Sequence, residues 1–595
     1  MEADLDNNSQ FTKKSLSGYK WSLREADNVL VTSLAQKFRL PEIAARLLAL
    51  RGIDHESAEE FLNPSIKAAL PDPSHLKDMD KATSRIVKAI IEGEKIYIFG
   101  DYDVDGATST ALLVRFFKMA GVDVGFYIPD RMVEGYGPSI TAYDKIKADG
   151  GKLIITVDCG TLAFEPIKYG NDNGIETIVI DHHLSSSSLP EAVAIVNPNR
   201  IDESSELTNL AAVGMCFLLA ISVNRLLRES GFYKKQEPDI LSLLDLVALG
   251  TVCDVMILTG LNRAFVSQGL KVLAKRKNKG LVALADVGRI DEIPSTYHLG
   301  FVLGPRINAG GRIGEAALGT KLLTTQNVDE AFDIALKLDK LNQDRQAIEA
   351  LALEEAMAQA EKINEISPII FVRNNENTSQ WHEGIIGIVA GRLKEKFHKP
   401  AIVFAFKDGV GKASGRSVTD VDLGAAVTSA KMEDILINGG GHAMAAGLSI
   451  AEDKYDEFAQ YINHRLGDSV KKYLTSKSLN IDAIISLSAI TVGLIEKIQK
   501  LAPFGNGNPE PRFAIRNVTV TSAKIVGKDH IMCFLEDANS TKKLKAMYFK
   551  AGGTEAGEKI LNSYGKKFDI AGKIKLNRWN GYEKAELIID DVICY

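Results

Sequence analysis

Short apolar runs alternate with amphipathic stretches from Ile96 onward: IYIFG, VGFYIP, LIITVD and ETIVIDHH are interleaved with helical segments such as Thr108 to Ala120. Strand-length runs separated by helices predict a parallel α/β sheet. Upstream, Trp21, a leucine-rich helical pattern (Ile43, Leu47, Leu48, Leu50) and the turn-like PDPSH ending at His75 predict a small helical region. Residues 210–275 read as mainly helical, and their apolar block LLDLVALGTVCDV completes the first α/β domain. From Val328 to Ile363 a stretch rich in Ala, Glu and Gln and free of Gly and Pro predicts one long helix. Beyond Pro368, IIFV, AIVFAF and the glycine-rich NGGGHAMAAG predict a smaller α/β domain ending near residue 470. The tail alternates apolar and polar residues in FAIRNVTVTSAKIVG, IMCFLED, KLKAMYF, FDIAGKIKL and AELIIDDVICY, which predicts a small barrel of five or so strands.

The expected organisation is therefore an N-terminal helical region (1–75), an α/β domain (76–325), a connecting helix (326–365), a smaller α/β domain (366–470) and a β-barrel (471–595). A length of 595 residues, too great for one core, fits this division. No stretch approaches the roughly 20 apolar residues of a membrane span. The acidic start MEADLDNNSQ lacks the features of a signal peptide, and five scattered cysteines without a CxxC pair fit a reducing cytosol. A cytoplasmic protein is expected. A formal net charge of −6 argues against a nucleic-acid coat, so any nucleic-acid track must be a local basic groove.

Candidate chemistry gathers at the ends of the predicted strands. DYDVDGATST follows IYIFG, and extended-chain alternation would turn Asp101, Asp103 and Asp105 the same way. The next two strands end in VDCG, with Asp158, and in DHH, with Asp181, His182 and His183; Asp254 follows VALGTVC. Ligands of open parallel sheets gather at the carboxyl ends of strands. Carboxylates with imidazole suit Mn²⁺ or Mg²⁺, and two such ions can activate water, polarise a phosphoryl oxygen and stabilise a leaving oxygen. Taken singly, each feature has a plainer explanation: a DxD run or a lone Asp254 as a helix cap, and His-His as loop satisfaction. Three successive strand ends carrying ligands for one kind of metal favour phosphoester hydrolysis.

At these residues the sequence resembles the DHH phosphoesterase superfamily. Within it the chain is similar to the RecJ exonucleases, because DYDVDGAT, IPDRMVEGYG, VDCG, DHH followed by VNPN, GTVCDV, GPRINAGGR, GGGHAMAAG and LAPFGNGNPEP occur in their order, from about residue 80 onward. The resemblance implies a multidomain α/β protein: a parallel-sheet DHH domain, a long spacer helix, a smaller α/β DHH-associated domain and a C-terminal OB-fold β-barrel. It implies that Asp103, Asp105, Asp158, His182 and Asp254 ligate two Mn²⁺ or Mg²⁺ ions, with Asp158 bridging and Asp101 as a further ligand or a carboxylate just outside. His183 would face the scissile phosphate, and Asp181 would orient the histidines.

The second domain resembles the DHH-associated domain through WHEGIIGIVAGRL, ASGRS and GGGHAMAAG. Close-set glycines let backbone N–H groups approach a phosphate, so Arg131, Ser414, Arg416 and His442 are expected to form a terminal-phosphate pocket, with Arg306 on the strand backbone. GGGH alone would read as a tight turn. In the barrel, Lys573 and Trp579 are candidates for holding single strands by charge and stacking, although Trp579 equally suits a core position. One departure from the family pattern is Gly310, where a second alanine is common. The implied activity is a metal-dependent 5′-to-3′ exodeoxyribonuclease that releases 5′-mononucleotides from single-stranded DNA in repair and recombination, as a monomer working with a helicase and a single-strand-binding protein. Smaller DHH enzymes acting on oligoribonucleotides or cyclic dinucleotides are the alternative. They lack the barrel and spacer helix expected here.

Overall fold

The computed structural model describes residues 11–595 except 132, 235, 376–378, 538–539, 564 and 580–581. Strands Ile96–Gly100, Val124–Tyr127, Leu153–Val157, Glu176–Ile180 and Ala194–Val196 form one wholly parallel sheet. In space the strand Val124–Tyr127 lies outside Ile96–Gly100, which neighbours Leu153–Val157, then Glu176–Ile180, then Ala194–Val196. The order thus reverses between Ile96–Gly100 and Leu153–Val157, and such a switch point leaves a crevice at the carboxyl ends of those two strands. Their unbroken apolar runs follow from burial on both faces. Ile96, Ile98, Leu153 and Ile155 pack on helices Met79–Glu92, Val104–Met119 and Ala212–Glu229, while Tyr97, Phe99 and Ile154 meet Tyr143 and Ile146 opposite.

The predicted spacer is a single helix, Val328–Asn364, of 37 residues. At 1.5 Å per residue it spans about 55 Å. Asn327 caps it by accepting from the N–H groups of Asp329 and Glu330. Its buried stripe starts at Ala331, Ala335 and Leu338, is interrupted by the polar pair Asn342 and Arg345, and resumes at Ala352, Ala356 and Ala360. The two apolar ends pack on different domains: Ala331 to Leu338 on the first core, Ala352 to Ala360 on the second. Gly310 lies beneath the first part. A methyl there would stand 3.2 Å from the Glu315 carbonyl and 3.3 Å from Leu338, so glycine permits the close approach of the helix Gly304–Ile313.

The second sheet runs Asn438–His442, Ala445–Ala451, Val410–Arg416, Ala401–Lys407 and Ile370–Arg373, antiparallel except for its last pair. In the tail, Phe513–Val526, His530–Asp537, Ser540–Tyr548, Tyr582–Cys594 and Lys567–Trp579 pair in turn. Pairing of the first with the last closes the barrel.

The N-terminal residues do not form a separate body. Val31, Leu34, Leu47 and Leu48 share one core with barrel residues Phe513, Ile531, Phe568 and Leu587. Strand Lys20–Leu23 pairs in parallel with Ser478–Ile481, and the Trp21 indole donates to Asp591. Buried Arg263 fastens this assembly to the first domain: its guanidinium lies 3.7 Å from the Phe61 ring centre and donates to the carbonyls of Phe61, Leu501 and Ala502. A buried guanidinium is stable only when its donors are satisfied in this way.

Candidate metal centre

The crevice at the switch point holds the acidic cluster. Asp101, Asp103 and Asp158 bring one ligand oxygen each to within 4.8 Å of one another, as do the ligand atoms of Asp105, His182 and Asp254 and those of Asp158, His182 and His183. Asp158 and His182 each belong to two groups, so two adjacent cation positions are implied. No ion is present. The fit is shown by two buried oxygens, Asp101 Oδ1 and Asp254 Oδ2, which accept no hydrogen bond among the described residues. Orphaned buried carboxylate oxygens are costly, and a hard cation is the partner their chemistry suits.

The three aspartates of DYDVD arrive by a route other than the expected strand alternation. Asp101 follows the strand, Asp103 is the N-cap of helix Val104–Met119 and accepts from the Gly106 N–H at 3.1 Å, and Asp105 lies in the first helical turn. The strand ends at Gly100 and the helix begins at Val104. Convergence comes from the sharp strand-to-helix turn, which Gly106 permits because a Cβ there would meet the Asp101 backbone at 2.5 Å. Both oxygens of Asp105 also accept backbone N–H groups at the start of helix Ala212–Glu229, from Ala212 at 2.7 Å and Val213 at 3.0 Å. Gly250 keeps space beside them: its added Cβ would lie 2.9 Å from Asp105 Oδ1 and 2.4 Å from Thr108 Oγ1. Asp158 takes a left-handed backbone, φ 61°, which turns its side chain into the crevice.

Like charges packed in a dry site hold their protons. Burial first, then the neighbouring Asp103, pushes Asp101 and Asp254 up to about 7. Burial and the surrounding carboxylates push Asp105 and Asp158 well above the usual range. The histidines diverge. Burial and the charge of His183 push His182 down to about 4, which leaves a neutral imidazole with Nε2 3.3 Å from Asp158 and 3.6 Å from Asp254. For His183 burial is outweighed by Asp181, whose hydrogen bond and charge raise it to about 9.

Asp181 is the hub of this loop. Its Oδ1 accepts from the His182 N–H at 2.8 Å and the His183 N–H at 3.2 Å and meets His183 Nδ1 at 2.7 Å, while Oδ2 accepts from the Thr161 N–H. Although burial opposes it, these donors hold the Asp181 carboxyl below its ordinary range. Three further residues brace this loop or the one carrying Asp158 without having been singled out in the sequence. Asn197 donates to the His183 carbonyl, Asn199 to the His182 carbonyl, and the Tyr136 hydroxyl to the Asp158 carbonyl. Their signal was present: VNPN and EGYG sit beside the ligand motifs, but backbone bracing has no spacing rule.

Arg131 and Arg312 adjoin the acidic cluster, and Arg345 and Arg416 adjoin Arg312. Arg312 is drawn by Asp103 but pushed down to about 10 by burial and then by the positive charges of Arg131, Arg345 and Arg416. Arg131 lies over the Tyr102 ring, 5.2 Å from its centre. Arg416 and Ser414 share the face of the second sheet that looks toward helix Glu383–Phe397, hydrogen-bonded to each other at 3.0 Å, where Gly387 leaves them room. Register sets Gly447 and Gly440 beside Ser414, both with open space above them, and sets Ala445 and then His442 beside Arg416. His442 is exposed and two strand spacings, about 10 Å, from the Arg416 backbone.

The other expected contacts lie elsewhere. Arg306 is held by Asp339 at 2.9 Å and by the Val302 carbonyl. Lys573 is 3.8 Å from Glu510 on the barrel wall, and the Trp579 side chain lies outside the described residues. Arg345 had no motif to mark it. Its trace was a charged residue on the buried stripe of the long helix.

Residues 95–251 match the DHH family, N-terminal domain; residues 358–468 match the DHHA1 domain; residues 481–591 match the RecJ OB domain. Similar over most of their length are the single-stranded-DNA-specific exonucleases RecJ of Salmonella typhimurium, 36% identical across 93% of this chain and 96% of that protein, and of Bacillus subtilis, 34% identical across 97% and 71%. The crystal structure of RecJ in complex with Mn²⁺ from Thermus thermophilus superposes with a TM-score of 0.79 at 27% identity, covering 96% of this chain and 79% of that one. A Mg²⁺ complex of the same protein gives 0.74 at 26% identity, covering 96% and 78%.

Proposed function

The chain belongs to the RecJ family of the DHH superfamily, and from that premise we propose that it removes mononucleotides stepwise from the 5′ end of single-stranded DNA. It is a metal-dependent exonuclease of single strands. The observation that carries the residue-level reading is the pair of orphaned oxygens on Asp101 and Asp254 within a carboxylate–histidine cluster confronted by arginines.

Asp101, Asp103, Asp105, Asp158, His182 and Asp254 are assigned to hold two Mn²⁺ or Mg²⁺ ions, which when bound activate water and neutralise charge at phosphorus. Neutral His182 offers Nε2 as a ligand, and Asp158 serves both positions. His183, positioned by Asp181 through Nδ1, keeps a proton on Nε2 to donate to the phosphoryl oxygen on which negative charge grows. Arg416, Ser414 and Arg131 bind the terminal phosphate, and the bare strands at Gly440 and Gly447 let the nucleotide lie against the backbone. His442 contributes from the rim. Arg306 reaches the strand only by exchanging its Asp339 partner, and Lys573 and Trp579 belong to a barrel track for the strand's far end. Support for 5′ polarity is that Arg312, which feels Asp103 of the acidic cluster, also feels Arg131 and Arg416 of the proposed terminal-phosphate pocket. A cytoplasmic monomer acting in repair and recombination with a helicase and a single-strand-binding protein completes the reading.

The test is digestion of 5′- and 3′-labelled single-stranded and duplex DNA with Mn²⁺ or EDTA. Early mononucleotide release from the 5′ label of single strands alone, lost with EDTA, is expected. Cleavage confined to very short RNA or cyclic dinucleotides would assign the chain to the compact DHH enzymes instead.

A further inference from the structure

Between the first α/β domain and the barrel lies a cavity of about 820 Å³. Its walls are apolar: Leu281, Ala285 and Leu303 come from the first domain and Leu576 from the barrel strand Lys567–Trp579. Three polar side chains reach it from buried positions. Asp245, in the first turn of helix Leu244–Cys253, is 3% exposed; its Oδ1 accepts from the Leu246 N–H, and its Oδ2 accepts no hydrogen bond among the described residues. Asn278 caps helix Lys279–Val287 through Oδ1, and its buried Nδ2 has no hydrogen-bond partner among the described residues. Glu586 commits Oε1 to Lys545 and Asn577, and its Oε2 has no partner among the described residues. Arg115 draws Asp245 without a hydrogen bond between them, and burial outweighs it, pushing the carboxyl up to about 6. An unpaired buried donor and two carboxylates with open oxygens are costly unless a ligand completes them.

The rim carries Arg276, Lys277 and Arg578 together with Asp291 and Glu292, so that with Asp245 and Glu586 the lining holds three cations and four carboxylates. Arg276 and Arg578 are paired with the exposed Asp286 and Glu583, Glu292 with His298, and Lys277 forms no ion pair among the described residues. Without a cationic excess the cavity does not suit a nucleic-acid strand, whose charge repeats at every nucleotide. We propose that it binds a guanine nucleotide as an effector, with the base between the apolar walls and the phosphates at the rim on Arg276, Lys277 and Arg578. Guanine presents two adjacent donors, N1–H and N2–H, beside the acceptor O6, which matches open carboxylate oxygens and the Asn278 Nδ2; every other base offers a single donor group on that edge. Exposed ion pairs contribute little, so the rim arginines can exchange their partners for a phosphate. The volume falls within the ~300–1,000 Å³ of small-ligand sites. Helix Leu244–Cys253 starts at this cavity and delivers Asp254 to the acidic cluster about 14 Å further along its axis. Gly304, next to Leu303, packs so closely on the same helix that an added Cβ would lie 2.5 Å from Cys253 Sγ. A ligand that fixes one end of this helix therefore bears on the other, and any such coupling is reciprocal. The effector role rests on the proposed assignment of Asp254 to the metals; the binding site does not.

Calorimetric titration of the full chain in EDTA with GDP, ADP, guanosine and spermidine tests the site without turnover. GDP should bind about tenfold more tightly than ADP, and a saturating oligothymidylate should not displace it. Asp245→Asn should remove the preference for GDP. Asn278→Asp keeps the helix cap while deleting the donor, and should weaken GDP about tenfold. Lys277→Gln with Arg578→Gln, both at exposed positions, should weaken GDP by a similar factor and leave guanosine unchanged, which a misfolded protein could not do. Mn²⁺ titration of the GDP-saturated protein, with ADP as the control for chelation, should show Mn²⁺ affinity shifted about fivefold or more. The proposal is overturned if ADP binds as well as GDP, if spermidine alone binds, if the oligonucleotide displaces GDP, if the substitutions leave GDP affinity unchanged, or if GDP shifts Mn²⁺ affinity no more than ADP does. A protein that binds GDP but no Mn²⁺ at all would instead remove the metal assignment and leave the nucleotide site standing.

Discussion

The carboxylate half of the centre and the cationic half facing it are built on opposite plans. Asp101, Asp103, Asp158, His182 and His183 all lie within a few residues of the ends of three strands in one sheet, so local chain geometry sets their relative positions. Arg131, Arg312, Arg345 and Arg416 come from a loop, two helices and a strand of another sheet, and meet only because the connecting helix is seated on both cores. The first half is rigid by construction. The second is as well placed as the domain arrangement that delivers it, which makes it the half where opening and closing of the cleft would register.

The difference can be broken hardest from the carboxylate side. Asp158→Ala removes the residue common to two ligand groups and should lower activity by about 1,000-fold or more. Steady-state rates on a labelled single strand and isothermal Mn²⁺ titration should report the loss together; weakened metal binding with full activity would disqualify Asp158. From the cationic side, Arg416→Ala should cost about 10- to 100-fold, the worth of a charge-assisted phosphate contact. The effect should fall on 5′-phosphorylated ends and leave Mn²⁺ affinity alone. Equal losses on 5′-phosphate and 5′-hydroxyl ends would take Arg416 out of the terminal pocket. Asp181→Asn should cost about tenfold, the low end for a residue that orients ligands. The histidine pKa values followed by NMR should show His183 falling from about 9 toward its ordinary range, and an unmoved His183 would contradict its dependence on Asp181.

The smallest effect is a linkage. Asp101 and Asp254 stand at about 7 in the metal-free fold, above their values in the unfolded chain. Their contribution to stability is therefore whole below about pH 4 and lost as pH rises toward 7. Cations that replace those protons should restore it, so the rise in Tm on adding Mn²⁺ should be greater at about pH 8 than at about pH 5.5. Thermal melts with Mn²⁺ and with EDTA at the two pH values would show this; equal increments would separate the ions from these carboxylates.

The same contrast explains what the sequence disclosed. Periodicity marks the parallel sheet, the long helix and the barrel because each is a local pattern repeated over many residues, and the motifs at strand ends single out side chains that the fold brings together. The route of Asp105 differs from the expected one, since the helix begins at Val104 and not several residues later, and a capping aspartate resembles an extended one in sequence. Arg345 was invisible for a different reason: nothing local says that a helix crossing two domains will turn that position toward Arg312. Arg306 had its motif, yet its partner Asp339 lies 33 residues away on the spacer.

The pairing of Lys20–Leu23 with Ser478–Ile481 has a consequence in time. On the ribosome, the strand bearing Trp21 emerges ahead of its partner and must wait for more than 450 residues of later chain before that partner and Asp591 exist. Closing so long a loop is slow but adds little entropic cost beyond that of a shorter one. The two α/β domains can therefore mature while the helices before them remain without a core, and the later barrel gathers up the earlier segment.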